Sequence, residues 1–142
     1  MTIDHPEQKG FRGGIFDVDG VLVDSPHERA WKQSLRELME HEWAGLRDRS
    51  EWSDERFTPQ VYQEVISGKP RLAGALAALE YFKVPDARER VQTYADHKQA
   101  LLVSLIEAGE FRAFPDALRF VMAVKASGIP IAAASSSKNA NV

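Results

Sequence analysis

The sequence predicts an α/β fold, a parallel sheet interrupted by a large helical insertion, and two observations carry that prediction. The first is "FRGGIFDV", residues 11–18, a short apolar run that ends on acids and turns at Gly20, the pattern of a strand feeding a tight turn. The second is "GIPIAAAS", residues 128–135, another short apolar run, entered through Gly128 and Pro130, which close a preceding helix. Nearly everything between them repeats at helical spacing. Two apolar strands separated by helices pair in parallel.

The helical segments follow in order. Ser25-Pro26-His27-Glu28 reads as a helix start, with a capping serine, proline at the first helical position and an early acid. Trp31, Leu35, Leu38, Met39, Glu42 and Leu46 then recur at helical intervals. The stretch "RDRSEWSDER", residues 47–56, reads as a solvated loop. Thr58-Pro59 opens a short helix carrying Val61, Val65 and Ile66, and Gly68-Lys69-Pro70 breaks it. Leu72, Ala75, Leu76, Leu79 and Phe82 mark the next helix. Asp86 and Glu89 are spaced as a capping box for a long one through Val91, Tyr94, Ala95, Leu101, Leu102, Leu105 and Ile106, which Gly109 ends. A last helix spans 116–127. The expected division is an α/β core over 10–26 and 113–142, with a helical insertion over 27–112. An insertion that long exceeds a single crossover and is expected above the strand ends, where ligands bind in such sheets.

Composition narrows the class. The 142 residues are 44% hydrophobic and 27% charged, a globular balance. A net charge of −3 argues against a coat on nucleic acid or an anionic membrane. With no cysteine, disulfides, thiolate metal sites and cysteine nucleophiles are excluded. No run approaches the roughly 18 apolar residues that span a bilayer, and "MTIDHPEQKG" lacks the apolar centre of a signal peptide. The expectation is a soluble, cytoplasmic protein with neither a nucleic-acid nor a membrane partner. Oligomeric state stays open. The three tryptophans read as packing residues, and His97 as a surface side chain.

Asp17 and Asp19 carry the chemistry. Residues i and i+2 of a strand point the same way, so both carboxylates face the sheet's carboxyl edge. Two acids this close persist if a cation sits between them or if one is protonated. A hard cation such as Mg²⁺ takes such oxygen ligands, and Gly20 lets the backbone approach a ligand. Phosphoryl transfer suits this set. A carboxylate can attack to give an acyl phosphate, a metal offsets the charge, and a second carboxylate moves the proton. Solvated acids in a turn are the plainer alternative.

"DVDGVLVDS" resembles the first motif of the haloacid-dehalogenase-like (HAD) superfamily, Asp-x-Asp-Gly-Thr/Val. The resemblance implies a Rossmannoid parallel core with an inserted cap. It implies Asp17 as nucleophile and metal ligand, and Asp19 as general acid/base that also ligates Mg²⁺ through its backbone carbonyl. Val18 and Asp19 would also contact the phosphate. "AAASSSKN", residues 132–139, follows the second strand, where a hydroxyl and backbone N–H groups make an anion site. It resembles the second motif, with the Ser135 hydroxyl and the Ser136 N–H on the transferring phosphate. A bare linker or helix cap is the alternative there.

The run on through Ser137, Lys138 and Asn139 is similar to the β-phosphoglucomutase-like branch, where it grips the phosphate that is not transferred. "HERAW", residues 27–31, resembles that branch's first cap helix, whose histidine meets substrate and proton shuttle. "SGKPR", residues 67–71, resembles the segment whose arginine binds the distal phosphate. His27 and Arg71 are thus substrate-binding candidates, and a guanidinium suits a phosphate through its bidentate fork. Plain helix-start surface residues are the alternative for both.

The implied activity is Mg²⁺-dependent hydrolysis of a small phosphorylated metabolite, a sugar phosphate, through a phospho-aspartate. A phosphomutase and a non-catalytic interaction module are the alternatives. The superfamily's third and fourth motifs, a lysine and a further acid or acid pair, are expected beyond Ser135 after more α/β structure. The sequence is therefore expected to be the front portion of such an enzyme, with little activity alone.

Overall fold

The computed structural model describes residues 12–135. The chain forms two compact units, one built from residues up to Ser25 together with Phe111 onward, the other from Pro26–Glu110. Among the described residues no helix is long and apolar enough to cross a membrane.

In the first unit, β1 (Gly14–Asp17) pairs in parallel with β4 (Ile131–Ala134), in the register Gly14↔Ile131 through Asp17↔Ala134. Side chains alternate across this pair. Phe16 meets Phe120 of α5 (Pro115–Ala126) edge-on, with ring centroids 6.1 Å apart. Ile15, on the other face, is 78% exposed. Helix α5 thus covers one side of the pair.

Beyond β1 the chain folds tightly. The Val18 carbonyl accepts from the N–H groups of Leu22 and Val23 at 2.9 and 3.0 Å, and the Gly20 N–H donates to Val23 at 2.8 Å. Gly20 sits at φ +77°, a conformation that side chains disfavour. Two more strands follow that the helical pattern hides. β2 (Val23–Asp24) pairs antiparallel with β3 (Arg112–Ala113). Among the described residues the two expected strands therefore become four, because "VLVD" is too short to show a period of its own.

The second unit holds the core. Every fully buried apolar residue among those described lies between Ala30 and Leu105. α1 (His27–Glu40) buries Ala30, Trp31, Leu35, Leu38 and Met39 on one face. α4 (Ala87–Glu107) packs against both α1 and α3 (Arg71–Tyr81). Thr58 caps α2 (Pro59–Val61) by accepting the Val61 N–H at 3.2 Å, and the chain runs on as a π-helical turn, Tyr62–Ile66. Each fully buried large side chain here contributes about 1.5–3 kcal/mol relative to an exposed one.

Several local expectations are corrected. Helix α1 stops at Glu40, and Leu46 lies instead in a 3₁₀ turn, Ala44–Arg49, still packed on the core. Residues 47–56 are not simply a solvated loop. Trp52 is buried beneath the Arg47 guanidinium, and the Glu51 N–H donates to the Phe82 carbonyl at 2.7 Å. The Asp86–Glu89 box does not form. Asp86 adopts φ +55° and makes no side-chain cap bond, while its carbonyl takes the Glu89 N–H. His97 is half-buried, its Nδ1 3.1 Å from the Oγ of the buried Ser34.

Asp54 ties this loop to α1 through Arg36 and Lys32. Partial burial pushes the Asp54 carboxyl up, but the Arg36 hydrogen bond and the Lys32 and Arg36 charges outweigh it, leaving the group below its ordinary range. A carboxyl depressed on folding stabilises fully above its unfolded value, about 3.8 here, and that contribution fades as pH falls through the lower folded value. Asp54→Asn is therefore expected to cost under about 1 kcal/mol at pH 7, since the pair is largely solvent-screened. It also flattens the acid limb of the melting temperature below that pH, as read from thermal melts across pH 2–7.

Candidate active site

Asp17 ends β1, and its neighbour in register is Ala134, the last residue of β4. Ser135 follows Ala134 directly. The acid-bearing and hydroxyl-bearing strand ends therefore lie side by side, about one inter-strand spacing apart, ~4.8 Å. Asp17 is exposed, and its Oδ1 accepts the Val18 N–H at 2.8 Å. That bond engages the Val18 donor assigned above to a phosphate, so a bound anion would compete for it.

Asp19 is half-buried inside the tight turn. The Ser25 hydroxyl donates to its Oδ1. This corrects the reading of Ser25 as a helix cap. Pro26 occupies the N-cap position of α1 with no side-chain cap bond, and the Ser25 hydroxyl is spent on the carboxylate instead. The Asp19–Val23 backbone bridge brings the two residues together across the turn.

In the second unit, His27 is the first residue of α1 and Arg71 the first of α3. They engage different residues of α4. His27 Nδ1 lies 3.1 Å from Lys98 Nζ, and Arg71 Nη1 lies 3.5 Å from Asp96 Oδ1. Ser136, Ser137, Lys138 and Asn139 lie outside the described residues.

Two residues escaped the sequence reading. Ser25 was hidden by its plausibility as a cap. Lys98 is 3% exposed and touches His27. Its signal was present, because Tyr94, Ala95, Lys98, Leu102 and Leu105 form the buried stripe of α4, and a lysine in such a stripe demands a partner.

Among the described residues no three His, Cys, Asp or Glu side chains gather as a metal-holding cluster. The donors that the first unit does offer, the Asp17 carboxylate at the strand end and the main chain and carboxylate of Asp19 in the turn, are all oxygens. Such a set fits a hard cation that keeps several waters, as Mg²⁺ does, and not a soft metal.

A family model for haloacid dehalogenase-like hydrolases matches residues 12–142. This chain belongs to that family. Relatives named β-phosphoglucomutase, from Mycobacterium bovis and Mycobacterium tuberculosis, are each 32% identical over 90% of this chain and 52% of their own length. The chain thus spans about half the length of the curated relatives it matches. The structure resembles an archaeal β-phosphoglucomutase from Pyrococcus sp. strain ST 04, with TM-score 0.68 and 29% identity over 90% of this chain and 54% of that one. It also shares its fold with CbbY from Rhodobacter sphaeroides, solved in complex with phosphate, at TM-score 0.64 and 21% identity over 94% of this chain and 54% of that one. The family membership and the parallel α/β fold agree with the resemblance read from "DVDGVLVDS".

Proposed function

We propose that this chain carries the nucleophile of a phosphoryl-transfer enzyme acting on a small phosphorylated metabolite, a sugar phosphate. The supporting observation is the Asp17-x-Asp19 pair at the end of β1, beside Ser135 at the end of its parallel neighbour. The first unit is the catalytic core and the second its cap. Asp17 attacks phosphorus, and the bond to the leaving oxygen breaks as a phospho-aspartate forms. Asp19 gives a proton to the leaving oxygen and later takes one from water, which releases phosphate.

The Ser135 hydroxyl and the Ser136 N–H hold the transferring group, with the Val18 and Asp19 backbone beside it. Arg71, Ser137, Lys138 and Asn139 bind the rest of the substrate, and His27 meets it from the cap. Mg²⁺ would be held by the Asp17 carboxylate and the Asp19 carbonyl, where it offsets charge between nucleophile and phosphate.

The relatives' names favour a second reading, a phosphomutase, in which a sugar hydroxyl replaces water as the second acceptor. Product analysis of the whole protein with Mg²⁺ and β-glucose 1-phosphate separates the two. Free phosphate means hydrolysis, and glucose 6-phosphate means mutase action. If neither product forms from any sugar phosphate tried, phosphoryl transfer is wrong.

The Ser25 hydroxyl steers Asp19. Ser25→Ala is expected to lower kcat about tenfold, the scale of a hydrogen bond to a charged group, with KM nearly unchanged. Ser25→Thr should keep the rate. Steady-state kinetics on both variants check this.

A further inference from the structure

We propose that the Trp31 indole is a positioning residue, whose ring face keeps the Lys98 ammonium against His27 and so fixes the imidazole as the Nε2–H tautomer. His27 and Trp31 stand four residues apart on α1, one turn from each other on the same side. Lys98 of α4 meets both, with its Nζ 3.1 Å from His27 Nδ1 and 4.9 Å from the centroid of the Trp31 ring. That separation lies inside the range of cation–π attraction.

Lys98 is 3% exposed and Trp31 5%. A charge so far from water persists only where other groups replace its hydration. The negative face of an indole attracts an ammonium and does little for a neutral amine, so the ring favours the charged lysine. An ammonium has three donors and no acceptor. His27 Nδ1 must then be the accepting nitrogen, and the ring proton sits on Nε2.

The indole itself cannot drift. The Tyr94 hydroxyl donates to the Trp31 carbonyl at 2.9 Å, and the Tyr94 ring meets the indole edge-on at 5.1 Å. Gly74 of α3 lies behind it. A Cβ there would come within 3.6 Å of the indole Cζ2 and 3.3 Å of an Ile66 methyl. The consequence for turnover rests on the placement of His27 proposed above. There, His27 offers an oxyanion or hydroxyl a fixed N–H donor. The tautomer itself does not depend on that reading.

The test replaces Trp31 by site-specific incorporation of mono- to tetrafluorotryptophan in the whole protein, which weakens the ring face while leaving its shape nearly intact. Long-range ¹H–¹⁵N spectra read the His27 tautomer, and ¹⁵N spectra read solvent exchange of the Lys98 ammonium. The natural indole is expected to give the Nε2–H tautomer alone. Stepwise fluorination should speed Lys98 exchange, by about three- to tenfold at the tetrafluoro end, and admit the Nδ1–H form. Trp31→Phe should fall between the extremes. Unchanged methyl shifts at Leu35 and Leu102 verify the fold in each variant. A tetrafluoro variant with natural exchange and tautomer, or an Nδ1–H imidazole with the natural indole, would overturn the assignment. Neither readout requires turnover, so a failure of the phosphoryl-transfer reading shows in product analysis and leaves these spectra untouched.

Discussion

If the proposed phosphoryl transfer holds, asparagine in place of Asp17 is expected to lower kcat/KM of the whole protein for the proposed sugar phosphate by at least about 10³-fold, because an amide cannot form the acyl phosphate. Structure is spared. Asp17 is exposed, and the contact it makes with the Val18 N–H at 2.8 Å uses an oxygen that asparagine retains. Circular dichroism and melting temperature should therefore match the parent. Asp19→Asn is the informative contrast. Loss of a general acid/base lowers rates about 10²–10⁴-fold, yet Asp17 can still be phosphorylated by a substrate whose leaving group needs no proton. With an aryl phosphate such as p-nitrophenyl phosphate, the Asp19 variant should give a hydroxylamine-labile phosphoprotein and the Asp17 variant none. An Asp17→Asn protein retaining a tenth of the parent rate would remove Asp17 from the nucleophile's role.

Residue order made the two ends of the chain legible, because strand chemistry there is local. "GIFD" and "IAAA" are apolar runs bounded by glycine or proline, and they pair in parallel as their separation by helices requires. The acid pair stands out in the sequence because two carboxylates at a strand end have few structural uses, and Asp17 does end β1. What stayed hidden was set by tertiary contact. β2 and β3 are two residues each and exist through mutual pairing, which no window along the chain detects. Ser25 carries a strong local preference for capping, and the nearby carboxylate of Asp19 overrides it. Lys98 is a polar residue at an apolar position, and the contacts that hold it there include His27, 71 residues away in sequence. Trp52 packs as its residue type predicts, whereas the charges around it predict a solvated loop. The charges of residues 47–56 dominate that stretch by composition, yet the ring beneath Arg47 determines its path.

That same loop sets the largest expected change in stability. Phe82→Ala should destabilise the second unit by about 3–5 kcal/mol. Phe82 is wholly buried at the end of α3 and stacks on Phe57 at a centroid distance of 5.7 Å, with Tyr81 edge-on at 4.9 Å. Phe57 is itself 1% exposed and directly follows the loop, so the pair clamps the chain at residues 51–57 to the helices. Truncation removes the transfer contribution of the ring and leaves a cavity whose walls are α3 and this loop. The Glu51 N–H bond to the Phe82 carbonyl persists, because it involves main chain alone, and that limits how far the loop can collapse inward to refill the space. Little relaxation means a cost toward the upper end of the range. For a unit of this size each kcal/mol shifts the midpoint by about 4–8 °C, so the transition of this unit should fall by at least about 12 °C. Phe82→Leu, which keeps most of the volume, should lose less than half as much. A calorimetric midpoint for Phe82→Ala within about 3 °C of the parent would show that the loop is not held by this ring.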